Sequence, residues 1–224
     1  MPSCAPPAFT AVLFGLSGCL VDFGARTLAV AVERSSARQS QQPLCESLRQ
    51  DEALLQSAGE HAEAIPGALD HLASLQQQGV PCAWLSELPE AANSRLAQPL
   101  PRWLPAGQCR HARAWPAPDA CWQALTGLGV NSLEGCVLVS GEPRLLQAGL
   151  HAGLWTIGLA VSGPLCGHAP GDWQALEART RDHLRAQATL TLFRLGVHSV
   201  IDQLEDLTPG LAALGARRLA GEKA

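Results

Sequence analysis

The chain is nearly without lysine. Of 224 residues only Lys223 carries a side-chain amine, and every other basic residue is an arginine. A guanidinium stays protonated and is not a nucleophile, so the body of the chain holds no side chain able to form an imine. Basic residues are few altogether, and the formal net charge is -4. That balance excludes a nucleic-acid surface, which needs clustered Lys and Arg. There is no apolar run near the ~20 residues of a membrane helix. The opening Met1-Pro2-Ser3-Cys4-Ala5-Pro6-Pro7 lacks the basic start and apolar stretch of a signal peptide, so the expected location is the cytoplasm. Eight cysteines are scattered without a C-x-x-C pair; in that compartment they read as small buried hydrophobes. The seven histidines show no metal-ligand spacing and read as surface or capping residues.

What is present is a chain long enough for one α/β core, with 47% hydrophobic and 16% charged residues. Its organising stretch is Phe9 to Gly24. An apolar run, Phe9 to Phe14, reads as a buried strand. Gly15-Leu16-Ser17-Gly18-Cys19 then breaks it. A loop of this kind after a strand falls at the carboxyl edge of a parallel sheet, where open α/β folds bind ligands. Further strands are expected at Val80–Leu85, Cys109–Ala112, Cys136–Val139, Trp155–Leu159 and Val197–Ile201. Helices are expected after Ile65-Pro66-Gly67, over Glu90–Leu100, from a capping Asp119 to Leu128, from Pro143 to Ala152, over Trp173–Leu195 and over Leu204–Leu219. Strand and helix alternate, which implies a parallel sheet covered on both faces. The region 26–64 is helical but weakly patterned, and reads as a truncated insertion. The expected division is a core of 1–25 with 65–224, and a reduced helical cap of 26–64.

The strand and loop at 9–19 resemble the first motif of the haloacid dehalogenase superfamily, a strand followed by Asp-x-Asp-Gly-Thr. Gly15 and Ser17 stand at its two aspartates, Gly18 at its glycine and Cys19 at its threonine. Further stretches resemble one family within it, phosphonoacetaldehyde hydrolase or phosphonatase. They are Val21-Asp22-Phe23-Gly24-Ala25-Arg26, Glu60 to Gly67, Trp115-Pro116-Ala117-Pro118, Leu128-Gly129-Val130, Ala148 to Gly158, Ser162-Gly163 and His198 to Asp202. The resemblance implies a Rossmann-like fold with a helical cap. It also implies a nucleophilic aspartate, Mg²⁺ held by carboxylates, and a cap lysine that forms a Schiff base.

Carried over one residue at a time, these requirements are not met. The nucleophile position is Gly15 and the acid/base position Ser17. The second-motif serine is kept as Ser86. The position for a basic residue is Trp115, with Arg113 two residues earlier as a possible substitute. In the metal-binding Gly-Asp-x-x-x-Asp motif, Ser140 stands at the glycine, Gly141 at the first aspartate and Leu145 at the second; Glu142 is displaced by one residue. The shortened cap has no lysine. The expected protein is therefore a catalytically inactive phosphonatase-like homologue with a binding or regulatory role. It has no metal and no cofactor, since the family's Mg²⁺ has lost its oxygen ligands. A small anionic ligand at Ser86, Ser17, Gly18 and Arg113 is the expected partner, alongside a homodimer or paralogue contact. Two alternatives stand beside it. One is a phosphonoacetaldehyde hydrolase-type enzyme with rearranged residues. The other is a different hydrolase using Ser17, in a near miss to a G-x-S-x-G elbow, or Cys19. Trp84, Trp115, Trp122, Trp155 and Trp173 read as core or pocket plugs, and Arg179, Arg181 and Arg185 as a solvated helix face.

Overall fold

The computed structural model describes residues 9–38, 46–107 and 112–224, with side chains placed for all of these but 36–38 and 46–51. Five parallel strands form the sheet: β1 (Ala11–Gly15), β2 (Cys82–Leu85), β3 (Cys136–Ser140), β4 (Trp155–Leu159) and β5 (Ser199–Ile201), in the order β2-β1-β3-β4-β5. Around them lie α1 (Thr27–Arg38), α2 (Glu46–Glu60), α3 (Ala68–Gln77), α4 (Glu90–Leu96), α5 (Asp119–Gly127), α6 (Pro143–His151), α7 (Pro170–Ala175), α8 (Ala178–Arg194) and α9 (Leu207–Leu219). This is the expected Rossmann-like α/β architecture.

Strand residues alternate between two apolar layers, as a period of two requires. Val12, Phe14, Val137, Val139 and Ile157 share one layer with Leu72 and Leu75 of α3, Leu96 of α4 and Leu214 of α9. Ala11, Leu13, Leu85, Cys136 and Leu138 face the other way, against Ala120, Ala124 and Leu125 of α5 and Leu145 and Ala148 of α6. All five residues of β1, β3 and β4 are buried, which is why these strands read as unbroken apolar runs rather than alternating ones. The α1–α2 pair lies between β1 and α3, and α2 packs on α4. Its entry and exit run side by side: Val21 bridges Ala64 antiparallel, and Ile65 N–H donates to the Leu20 carbonyl at 2.9 Å.

Several elements depart from expectation. The strand expected at Cys109–Ala112 falls largely outside the described residues. Just before it, Ala106 forms a parallel bridge to Trp84, and Gly107 N–H donates to the Trp84 carbonyl at 2.7 Å, covering the outer edge of β2. The helix expected over Trp173–Leu195 is two helices. The chain is extended at Leu176 and Glu177, with ψ of 145° and 141°, so no helical hydrogen bond spans them. Asp119 is not the cap of α5: Pro118 holds the N-cap position without a side-chain hydrogen bond, and the Asp119 carboxylate is turned onto Arg113. Trp122 is no plug; it is 43% exposed, with its indole N–H on the Ala152 carbonyl.

Candidate functional site

β1 lies between β2 and β3, so the chain leaves its carboxyl end toward opposite sides of the sheet. That reversal is where open α/β sheets form their ligand crevice. Gly15 ends β1 in register with Leu85, and Phe14 pairs with Val139 of β3. The loops after β1, β2, β3 and β4 therefore meet here, carrying Ser17 and Gly18, Ser86, Gly141, and Ser162 with Gly163.

The space above Gly15 is filled. A Cβ at Gly15 would lie 2.7 Å from Ser140 Oγ, 3.3 Å from Ser140 Cβ and 3.4 Å from Leu145 Cδ2. Ser140 is fully buried, and its hydroxyl accepts the Glu142 N–H at 2.9 Å. So the Ser140 and Leu145 side chains occupy the volume that a side chain at position 15 would enter. Gly141 is more crowded still. A Cβ there would stand 2.4 Å from Gly163 Cα and 2.9 Å from the Gly18 carbonyl oxygen. Real Cβ contacts are not that short, and both neighbours are backbone.

The loop after β1 is held by Asp22. This residue is 1% exposed and left-handed at φ 58°, a conformation that Asp tolerates better than most residues. Its carboxylate accepts the Ser17 hydroxyl at 2.7 Å and the backbone N–H groups of Arg26 and Thr27 at 3.0 Å each. Asp22 thereby satisfies free donors at the start of α1. The Ser17 hydroxyl is committed to that carboxylate, and among the described residues no histidine hydrogen-bonds to it, so the elbow reading gains no base there. Cys19 as a nucleophile is corrected by its setting. It is fully buried, its thiol points to the Val139 carbonyl at 3.4 Å, and burial pushes its pKa well up; a reactive cysteine needs the opposite shift.

The remaining expected residues are spread along this edge. The Ser86 hydroxyl accepts the Leu88 N–H at 3.1 Å, closing a tight turn. The Trp115 ring is buried in the apolar layer with Leu85, Leu138 and Leu145. The Trp115 backbone N–H donates to Glu87 at 2.5 Å, and its backbone carbonyl accepts Arg144. Arg113 is turned away, its side chain 74% exposed and doubly bonded to Asp119 at 2.7 and 3.0 Å. Sequence reasoning missed Arg144 and Glu87, which pair at 3.4 Å beside Ser86. Their separation of 57 positions carries no local signal. Nor are all the histidines superficial: His61 is buried against Ser57, and His198 Nδ1 accepts the Thr156 N–H at 3.1 Å.

The Mg²⁺ that the family implies does not fit these residues. Gly15, Gly141 and Leu145 offer no side-chain oxygen. The carboxylates of these loops are engaged elsewhere: Asp22 as above, Glu87 on Trp115 and Arg144, and Glu142 as the cap of α6 through Arg144 N–H at 3.1 Å. Among the described residues no three or more His, Cys, Asp or Glu side chains are grouped to hold a metal ion. A cleft of about 250 Å³ opens farther along the edge, lined by Val161, Trp173, Arg181, Asp182, Arg185 and Asp202 among others. Arg185 pairs there with Asp182 at 2.9 Å and Asp202 at 3.2 Å.

No protein-family model matches the chain. It is 31% identical over 171 residues to the phosphonoacetaldehyde hydrolase of Salmonella paratyphi C (strain RKS4594), a match covering 71% of this chain and 61% of that protein. The crystal structure of a phosphonoacetaldehyde hydrolase-like protein from Oleispira antarctica superposes with a TM-score of 0.87 at 20% identity, covering 98% of this chain and 96% of that one. A further crystal structure, 52% identical, covers 97% of this chain and 100% of its own, with a TM-score of 0.80. The chain belongs to the haloacid dehalogenase superfamily and is phosphonatase-like. This phosphonatase-like chain spans about three fifths of the length of the curated relatives it matches, 61% in the first case. Among its described residues no helix is long and apolar enough to cross a membrane.

Proposed function

We propose that this phosphonatase-like protein is a non-catalytic homologue with a binding or regulatory role, working in the cytoplasm. The observation that carries this reading is the occupied space above Gly15. Loss of an aspartate alone could be one substitution away from reversal. A buried Ser140 hydroxyl 2.7 Å from the Cβ position supports the reading, because any side chain at position 15 would have to displace it. The absence of any lysine before Lys223 removes the imine step independently. Covalent catalysis without its nucleophile falls by factors on the order of 10⁶.

A ligand of such a protein is a small anion. Ser17 and Gly18 are spent on internal contacts, whereas Arg181, in the cleft beside α7 and α8, makes no side-chain ion pair among the described residues.

The test is direct. Purified protein is incubated with phosphonoacetaldehyde and with a general phosphoester, with and without Mg²⁺, and phosphate release is followed. Borohydride is added in parallel and the digest is weighed. The expected result is no release above the uncatalysed rate and no trapped adduct within residues 9–219. Phosphate release that scales with protein and is lost in Glu142→Ala or Glu87→Ala would instead establish a hydrolase with rearranged residues.

A further inference from the structure

The cleft beside α7 and α8 is built from both ends of the sheet's β4–β5 pair. Ala160 N–H donates to the Ile201 carbonyl and Val161 N–H to the Asp202 carbonyl, each at 2.9 Å. The pairing thus runs past the strand ends and fixes Asp202 beside Val161. The extended backbone at Leu176 and Glu177 separates α7 from α8, and Trp173 of α7 and the first turns of α8 line one cleft of about 250 Å³ with these loops. Trp173 is itself half-buried against Phe23, Ile65 and Val161. Of the three arginines expected on a solvated helix face, Arg181 and Arg185, one turn apart, both line the cleft, whereas Arg179 is exposed and does not.

The two cleft arginines differ in their partners. Arg185 donates to Asp182 at 2.9 Å and to Asp202 at 3.2 Å. Arg181 is half-buried, and among the described residues its guanidinium has no hydrogen bond or ion pair. Like charges at this helical spacing repel, so an anion at Arg181 is favoured. The lining decides which anion. Arg181 and Arg185 are offset one for one by Asp182 and Asp202. A carboxylate brings a single charge and matches the planar fork of a free guanidinium. A phosphate dianion brings a second charge. That charge faces Asp182 and Asp202 with no cation left for it, because Arg185 is already shared between them, and like charges brought together are costly. Beside the charged wall, the Trp173 ring and Val161 offer apolar surface. The volume is just under the ~300 Å³ at which small-ligand pockets begin, which sets the occupant well below a nucleotide in size. We infer that this cleft binds a small carboxylate with a flat apolar body, held at Arg181, in preference to a phosphate. The inference rests on the binding role proposed above and names its ligand class.

The experiment is titration calorimetry at mildly alkaline pH with benzoate as the probe, beside acetate, inorganic phosphate and phenyl phosphate. The expected result is one saturable benzoate site at millimolar concentration, with the other three weaker. Arg181→Gln should weaken benzoate about tenfold or more, the worth of a charge-assisted hydrogen bond, while Arg179→Gln leaves it unchanged. No saturable benzoate binding, binding that survives Arg181→Gln, or phenyl phosphate binding as tightly as benzoate overturns the inference. If Arg181→Gln yields no folded protein, phenylglyoxal modification of the wild type decides, read by peptide mass. Benzoate that shields Arg181 but not Arg179 supports the site; equal modification of Arg181 with and without benzoate refutes it. Phosphate released from phenyl phosphate, with benzoate still held at Arg181, would defeat the non-catalytic reading and leave the cleft standing. No release and no benzoate binding would do the reverse.

Discussion

Adding one carbon at Gly15 should be costly, and the cost should vanish into Ser140. In Gly15→Ala the new Cβ meets Ser140 Oγ at 2.7 Å, Ser140 Cβ at 3.3 Å and Leu145 Cδ2 at 3.4 Å. Only the first contact is impossible. Ser140 must rotate, and rotation releases the Glu142 N–H that its hydroxyl accepts at 2.9 Å. Overpacking of a filled interior costs about 1–3 kcal/mol, and a buried donor left unpaired about 1–3 kcal/mol more. Taken together, Gly15→Ala should lose about 2–4 kcal/mol, since partial relaxation makes the two costs overlap. At roughly 2–4 °C per kcal/mol for a chain of this size, that is a fall of about 4–16 °C. Ser140→Gly alone loses the hydroxyl and gains backbone freedom, but it empties the contested space. The double variant should therefore be more stable than the two single losses added together, by about 1–3 kcal/mol of coupling. Urea unfolding of the four proteins closes the cycle. Additive losses, or a Gly15→Ala protein within 0.5 kcal/mol of wild type (the ordinary scatter of a harmless substitution, about that size), would refute the claim that Ser140 fills the nucleophile's place. The cycle also bears on restoration. Gly15→Asp would add a charge to the same crowded, buried position, so a restored nucleophile needs Ser140→Gly before its chemistry can be asked about at all.

Other outcomes follow from single contacts. Asp22→Ala should cost about 2–4 kcal/mol in urea unfolding, because it strips three donors of their acceptor and leaves alanine in a left-handed turn; Asp22→Asn, which tolerates that turn, should lose clearly less, and equal losses would disprove the role given to the turn. His198 has its pKa lowered by burial and then by the Arg217 charge. Its folded value thus lies below the unfolded ~6.5; the stability it adds is complete above that pH and fades as pH falls below it toward the folded value. His198→Leu should flatten the melting temperature between neutral and mildly acid pH, and an unchanged slope would exclude His198 as the source. Cys19 should resist a thiol reagent in the folded protein and react only after unfolding, as read by peptide mass; modification of the native protein within minutes would contradict its burial. Trp115→Ala should cost about 3–5 kcal/mol, as for a core aromatic, and a loss below about 1 kcal/mol would show that the ring is dispensable to the apolar layer it shares with Leu85 and Leu138.

The fold was legible because its signals are local. Ala11 to Phe14 and Val137 to Val139 are apolar runs ended by glycine and serine, Trp155 to Leu159 is a mostly apolar run that continues through Ala160 and Val161 to Ser162, and a fully buried parallel strand has no other pattern to show. The errors lie where a local rule met a competing partner. Asp119 has the composition of a helix cap, but Arg113 offers its carboxylate two donors at 2.7 and 3.0 Å. The stretch 173–195 keeps helical propensity throughout, yet the chain is extended at Leu176 and Glu177. The outer edge of β2 is covered by Ala106 and Gly107, a two-residue contact too short to leave a periodic pattern.

The site was legible as a set of losses and opaque as an arrangement. Reading Gly15, Ser17, Gly141 and Leu145 against the family's motifs says which groups are missing, one position at a time. It does not say what stands in the space they left, because that depends on pairs far apart in sequence: Gly15 with Ser140, Gly141 with Gly163, Ser162 with Gly18. These pairs change the meaning of the losses. An empty crevice missing its carboxylates would be a weakened enzyme, open to repair by substitution. A crevice in which Ser140 and Leu145 crowd the first position and two backbones meet at the second resists each added methylene, which is what the proposed non-catalytic reading requires. Asp22 belongs to the same argument. Quoted in sequence only as part of Val21-Asp22-Phe23-Gly24, it proves to be the carboxylate that the loop retains, and it is turned inward to hold Ser17 and the start of α1 rather than outward toward a ligand. The loop after β1 thus keeps one buried acid and uses it to fix its own shape.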